Sequence, residues 1–272
     1  LICCQMLLIQ EEGEHMRKLK VCFSLLLLLL LFCLVFMGRG NVNGDLRLAS
    51  PSFSHIFGFD TLGRDLFQRV CFATVVSITI SVIVSSISVT ASSLFAILSF
   101  RNKTLRTILL TLVSAFKSIP TILVGLLFAS FFGGSVFSVV IALIISCTFS
   151  SFRVLETKVK EIESEEYIMA LDALGLKKGR IVFFHILPSL FPIMREEWAT
   201  IMMTSILSES ALSFLGIGID RSIPTLGALL SEARSFLFTK PHLLLFPSLF
   251  LVIIGVLVML IKSGLSELDS SS

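Results

Sequence analysis

Arg153–His185 reads RVLETKVKEIESEEYIMALDALGLKKGRIVFFH and is followed at once by Ile186-Leu187-Pro188. The stretch holds six Lys/Arg (153, 158, 160, 177, 178, 180) and six Asp/Glu (156, 161, 163, 165, 166, 172). It lies between hydrophobic runs long enough to cross a bilayer. A lipid-embedded chain that builds a polar loop of this size uses it to touch something in the cytoplasm. The surrounding apolar runs make the chain all-α, because only internally bonded helices or closed barrels satisfy backbone polar groups in lipid.

Composition agrees. Hydrophobic residues are 55% of the 272, charged residues 15%, and mean hydropathy is +0.96. Soluble domains sit near about 45–50% apolar and about 25% charged. The net charge of +3 is small and gives no reason to expect nucleic acid as a partner. The six cysteines (3, 4, 22, 33, 71, 147) lie mostly inside apolar runs without metal-ligand spacing, and read as small apolar fillers.

Six spans are expected. Val21–Met37 is uncharged and, at about 1.5 Å per residue, just reaches across the hydrocarbon core, with Lys18 and Lys20 placed to snorkel. A cleaved signal peptide is the rival reading, but no A-x-A-like site follows. The first residue is Leu1, so 1–15 reads as an upstream extension before Met16, within a tail of residues 1–20. Residues 38–69 form a linker on the far side. Val70–Phe100 has 31 residues without a charge and is expected to tilt or overhang. After the basic turn Arg101–Arg106, Thr107–Phe132 is the third span, interrupted by Lys117 and Pro120. Gly133-Gly134 reverses the chain into Ser135–Phe152. Ile193–Phe214 is the fifth span. Gly216–His242 is a polar segment with Pro224 and Pro241, Leu243–Ile261 is the sixth span, and residues 265–272 are a polar tail. The transmembrane core is thus placed at 70–264, with the loop 153–185 inside it.

The loop charges orient the bundle. One side carries Arg17, Lys18, Lys20, Arg101, Lys103, Arg106, the six of the loop, Arg195 and Lys262. The other carries Arg39, Arg47, Arg64, Arg69, Arg221, Arg234 and Lys240. The richer side is cytoplasmic, which puts both termini and the 153–185 loop there.

Within the loop, Ser164 is expected to cap a helix whose first turn holds Glu165 and Glu166, favourable at the positive end of the dipole. Met169, Ala170 and Ala173 are small or flexible enough for close contact. Gly175 fits the left-handed position that ends a helix, and Gly179 permits a second turn. Ile181–Leu187 leads back to the membrane before Pro188.

The segment E-Y-x-x-A-x-x-A-L-G (Glu166, Tyr167, Ala170, Ala173, Gly175), with Pro188 of H-I-L-P thirteen residues after Gly175, resembles the EAA loop of ABC importer permeases. It most resembles the C-type inner-membrane subunit of the peptide/nickel transporter family. Phe57–Asp65 (FGFDTLGRD) resembles that subfamily's F-G-T-D-x-L-G-R-D segment. Ser208–Gly218 (SESALSFLGIG), with Pro224 and Ser231-Glu232-Ala233-Arg234, resembles its S-F-L-G-x-G … L-S-E-A-R segment. Leu245-Phe246-Pro247 opens the last helix similarly. The resemblance covers about 57 to 269.

It implies an all-α polytopic membrane protein with six transmembrane helices of the ABC type I importer permease architecture, in a bacterial inner membrane. It implies half of a translocation pathway for dipeptides or oligopeptides. The partners implied are a second homologous permease, two cytoplasmic ATPase subunits, an extracytoplasmic solute-binding protein, membrane lipid and the peptide cargo. The ATPase-coupling residues would be Glu166, Tyr167, Ala170, Asp172, Ala173, Gly175, Leu176, Ile186 and Pro188. The motif residues on the outer face would be Asp60, Gly63, Arg64, Asp65, Glu209, Gly216 and Gly218. No cofactor is expected on this chain; ATP and magnesium belong to the ATPases. A nickel or small-solute importer, and a non-transporting scaffold, are the alternatives.

Several residues depart from the family pattern. Met169-Ala170-Leu171 stands where the loop usually has E-A-A, so an acid is missing at Met169. Leu226 stands where Trp is common. Arg195, Glu196, Glu197 and Lys117 place charge where relatives are apolar. Lys117 has two readings, a functional charge inside a span or a side chain snorkelling to the cytoplasmic face. The chain has no G-x-x-x-x-G-K-[ST], H-E-x-x-H or G-x-S-x-G motif, and its histidines (15, 55, 185, 242) are scattered. An enzymatic role is therefore not expected.

Overall fold

The computed structural model describes residues 44–218 and 223–269. The expected first span, 21–37, lies outside the described residues. Helix α1 (Leu66–Arg101) is the longest at 36 residues. Asp65 begins it, its carboxylate accepting the N–H groups of Phe67 and Gln68 at 2.9 and 3.3 Å. Asn102 ends it and in the same place caps α2 (Lys103–Lys117), accepting from Thr104 and Leu105.

One face of α1 is a stripe of small hydroxyl residues: Ser77, Ser81, Ser85, Ser88 and Ser92 are all buried. Their spacing of three or four places them on one side of the helix. Small side chains let two backbones approach closely where lipid supplies no hydrophobic drive between helices. The partner is α4 (Val136–Glu163). Ser88 Oγ donates to the Ile144 carbonyl at 3.2 Å and Ser92 Oγ to Ser151 Oγ at 3.2 Å. The opposite face of α1 exposes Phe72, Ile83, Ile87, Leu94 and Leu98, the side chains expected against lipid.

The third apolar run is not one straight span. It is α2 followed by α3 (Thr121–Phe132), bent by 93° at Ser118–Pro120. Pro120 has no N–H to donate and disfavours helical geometry at Ile119, so the helix stops and restarts. The loop contributes α5 (Glu166–Ala173), the short α6 (Lys178–Ile181) and a π-helical turn at Val182–Ile186. Next comes α7 (Leu187–Phe214), which begins six residues before the expected Ile193 because Pro188 is tolerated in a first helical turn. The segment expected to be merely polar contains α8 (Leu226–Ala233). The last helix, α9 (His242–Asp269), runs beyond the expected end of the span.

Among the described residues, three helices are long and apolar enough to cross a membrane (Leu66–Phe100, Val136–Glu163, His242–Leu265), or four with the bent pair as one. Helix α7 is as long as α4 but carries Arg195, Glu196, Glu197 and Glu209. The helices pack α1 against α4 and α7, and α7 against α9 and α8. Gly227 allows the last contact: a Cβ there would stand 2.6 Å from Ser210 Cα and 2.7 Å from its carbonyl oxygen.

Candidate functional site: the 153–185 loop and the motif residues at the opposite end

Helix α4 does not stop where the apolar run stops. It continues through the charged residues to Glu163. Ser164 therefore ends α4 and does not cap α5: its backbone is helical (φ −84°, ψ −3°), and its Oγ donates back to the Glu161 carbonyl at 2.7 Å. Glu165, in extended conformation, takes the cap position of α5 without a side-chain bond. A one-residue link leaves Ser164 no room to serve both helices.

The end of α5 agrees with expectation. Gly175 has φ +78°. The Leu176 N–H reaches the Leu171 carbonyl at 3.2 Å and the Gly175 N–H reaches Asp172 at 3.0 Å, the paired bonds of a Schellman motif. Gly179 does not make a second turn; it lies inside α6.

A buried cluster mounts the loop on the bundle. Ile168 of α5, Ile181, Val182 and Ile186 of the returning segment, and Leu190 of α7 pack with Phe152, Leu155, Val159 and Ile162 of α4 and with Leu109 and Val113 of α2. Leu171 and Leu176 cover its edge. An ion pair between Arg106 of α2 and the buried Glu156 of α4 lies alongside. Ile186, expected on the docking face, is thus core, and Leu176 is half-buried.

Glu166, Tyr167, Ala170, Asp172, Ala173, Gly175 and Pro188 are exposed. Met169 and Leu174 join them, Leu174 at 77% exposure, and Phe183 and Phe184 stand out at 69% each. The Tyr167 ring meets His185 edge-on at 6.1 Å. An end that buries its isoleucines and exposes this many large apolar side chains has the surface of a site that a partner covers.

At the other end the motif residues converge. Asp60 is buried; it accepts from the Leu62 and Arg64 N–H groups and from the Arg64 guanidinium, each at 2.8 Å, and from Arg69 at 2.9 Å. Arg69 then reaches Glu232 of α8 through both terminal nitrogens. Asp65 also holds His55 at 2.7 Å. Gly63 is buried with φ +77°. Glu209 of α7 is buried and accepts from Ser77 of α1 at 3.3 Å and Ser213 at 2.8 Å, and Ser77 in turn accepts the Leu226 N–H. Leu226, fully buried, replaces the expected Trp with core packing. Gly216 (φ +93°) is exposed. Gly218 (φ +79°) is packed so close that a Cβ would stand 2.4 Å from Val139 Cγ2.

The model of the binding-protein-dependent transport system inner membrane component matches residues 88–267. The chain belongs to this family. It is 31% identical to the dipeptide transport system permease protein DppC of Alkalihalophilus pseudofirmus, over 90% of this chain and 84% of that protein. It is 28% identical to the oligopeptide transport system permease protein OppC of Bacillus subtilis, over 75% and 67% of the two chains. It is similar in fold to a chain of the MetNI methionine ABC transporter in an inward-facing conformation. That match has a TM-score of 0.58 at 15% identity, over 70% of this chain and 91% of the other. The chain is an all-α integral membrane permease of an ABC importer.

Sequence reasoning about this permease misses Arg69, counting it only as an outer-side charge. The available signal is its place: a lone cation at the mouth of a 31-residue uncharged run, four and nine residues after two aspartates. It also misses the Arg106–Glu156 pair, since nothing local to either residue points to the other.

Proposed function

We propose that the chain is the transmembrane subunit of an ATP-driven importer of dipeptides or oligopeptides and forms half of the translocation pathway. A second homologous permease supplies the other half. Two cytoplasmic ATPases bind and hydrolyse ATP with magnesium, and this chain catalyses no reaction and holds no cofactor. A solute-binding protein delivers cargo to the outer face around Asp60–Asp65 and Gly216–Arg234. The chain crosses the membrane six times with both termini in the cytoplasm.

The observation that carries the reading is the loop: an exposed apolar helix face set on a buried cluster that joins α2, α4 and α7. Coupling requires the ATPase dimer to bind one bundle state better than the other. A face mounted on three helices at once transmits that preference to all of them. The peptide assignment is supported by the relatives named above.

The test is reconstitution. The full complex in liposomes, with binding protein outside, should accumulate a labelled dipeptide or tripeptide only when ATP reaches the ATPases. This chain alone should neither hydrolyse ATP nor transport. Turnover by the lone chain, or a complex that accumulates nickel and no peptide, overturns the reading.

A further inference from the structure

The 93° break between α2 and α3 leaves a cavity of about 220 Å³ against α4. Lys117, Thr121, Ser146 and Ser150 line it, together with Phe116 and Phe149. We propose that this cavity receives the C-terminal carboxylate of the peptide in transit, with Lys117 as its counter-charge. The proposal rests on the peptide-importer reading and names a subsite within it.

Four observations converge. First, the lining contains a cation and hydroxyls but no carboxylate. Lys117 forms no ion pair among the described residues.

Second, Ser146 Oγ is shut off from solvent and has no hydrogen-bond partner. Elsewhere in the bundle buried serines donate to a carbonyl one turn back, as Ser92 does to Val89 and Ser99 to Ala96. Ser146, a residue of the cavity wall, therefore has its hydroxyl unused by the helix.

Third, α3 starts at Pro120 with no side-chain cap. Among the described residues no acceptor meets the N–H groups of Thr121 and Ile122. A helix broken inside a membrane bundle turns the positive end of its dipole and its free amides toward an anionic group of the substrate.

Fourth, the rings of Phe116 and Phe149 stack at 4.6 Å, giving an apolar floor beside the charge. A peptide's last residue offers both features: a carboxylate for Lys117 and the helix end, and a side chain for the rings. An inorganic anion uses only the first.

The experiment is photolabelling of the assembled permease–ATPase complex in phosphatidylcholine nanodiscs, without binding protein. The probe is a dipeptide ending in benzoylphenylalanine, against its C-terminal amide. The free acid should label the segment 116–121 or 146–150, and the amide should label it at least about tenfold less, the loss of one charge-assisted pair. Lys117→Met should lose the labelling and Lys117→Arg should keep it. Labelling elsewhere, equal labelling by acid and amide, or no labelling overturns the proposal. So does suppression by added phosphatidylglycerol, which would assign the cavity to a lipid headgroup. Wild-type uptake in liposomes, measured separately, judges the importer reading itself. Peptide uptake with failed labelling sinks only the subsite.

Discussion

Arg69 donates to Glu232 through both terminal guanidinium nitrogens, at 2.5 and 2.8 Å, across 163 residues of chain. The same side chain reaches Asp60 at 2.9 Å. One cation thus ties the first described loop to α8. The arrangement is unequal. Asp60 is buried and has the Arg64 guanidinium as well, whereas Glu232 is a third exposed and, among the described residues, pairs with Arg69. Arg69→Met should cost about 2 kcal/mol, because it takes from buried Asp60 one of its two guanidinium partners and removes the cation that Glu232 meets. Glu232→Gln should cost about 1 kcal/mol or less, since water reaches the glutamate and Asp60 keeps Arg69 paired. Thermal unfolding of the purified subunit in detergent compares the two. Equal losses would mean that the clamp acts through Glu232 and not through Asp60.

Gly175 has open space around it; a Cβ there meets nothing within 4 Å. Any harm from substitution therefore comes from the backbone. Gly175→Val should be strained by about 1–2 kcal/mol and should redirect Leu176–Arg180. Gly175→Asn, which tolerates the left-handed region, should be mild. Membrane insertion should survive both changes, while Val should abolish peptide uptake and weaken ATPase co-purification. Normal import by the Val variant would reduce the loop to a connector.

Gly227 and Gly255 make a matched pair. A methyl at Gly227 collides with the Ser210 backbone, which cannot move aside as a flexible side chain could; at Gly255 it meets nothing. Gly227→Ala should destabilise by about 1–3 kcal/mol as α8 is pushed off α7. Gly255→Ala, inside α9, should be neutral or stabilising by up to about 1 kcal/mol. Melting temperatures of the two variants decide the matter; similar values would show that α8 does not pack as described.

The charge distribution predicts the side on which α9 ends. A reporter fused after Lys262 should be active only in its cytoplasmic form. Periplasmic activity at that position would reverse the orientation and with it the side assigned to α5.

The sequence made the helical class, the course of α1 and the left-handed end of α5 at Gly175 readable, because each depends on local pattern. A 31-residue uncharged run cannot be anything but a long helix in lipid, and a glycine after an apolar-periodic turn stops one. What was not readable has a common cause. Hydropathy marks where lipid ends, not where a helix ends. Helix α4 therefore runs past Phe152 to Glu163, since Glu and Lys are good helix formers. That extension takes Ser164 for its own terminus. The bend at Pro120 was visible as a proline, but its 93° depends on packing against α4. The Arg69–Glu232 and Arg106–Glu156 pairs join residues that no periodicity relates.

The length of α4 has a mechanical meaning. Its 28 residues span about 42 Å, against a hydrocarbon thickness of about 30 Å. The surplus, braced near its base by Arg106 on Glu156, is long enough to carry α5 beyond the hydrocarbon. Stand-off distance is then a designed length, fixed in steps of one helical turn. Removing four residues between Glu156 and Glu163 would lower α5 by about 6 Å while keeping nearly the same side outward. A partner that must approach along the membrane surface would meet headgroups before it met Tyr167.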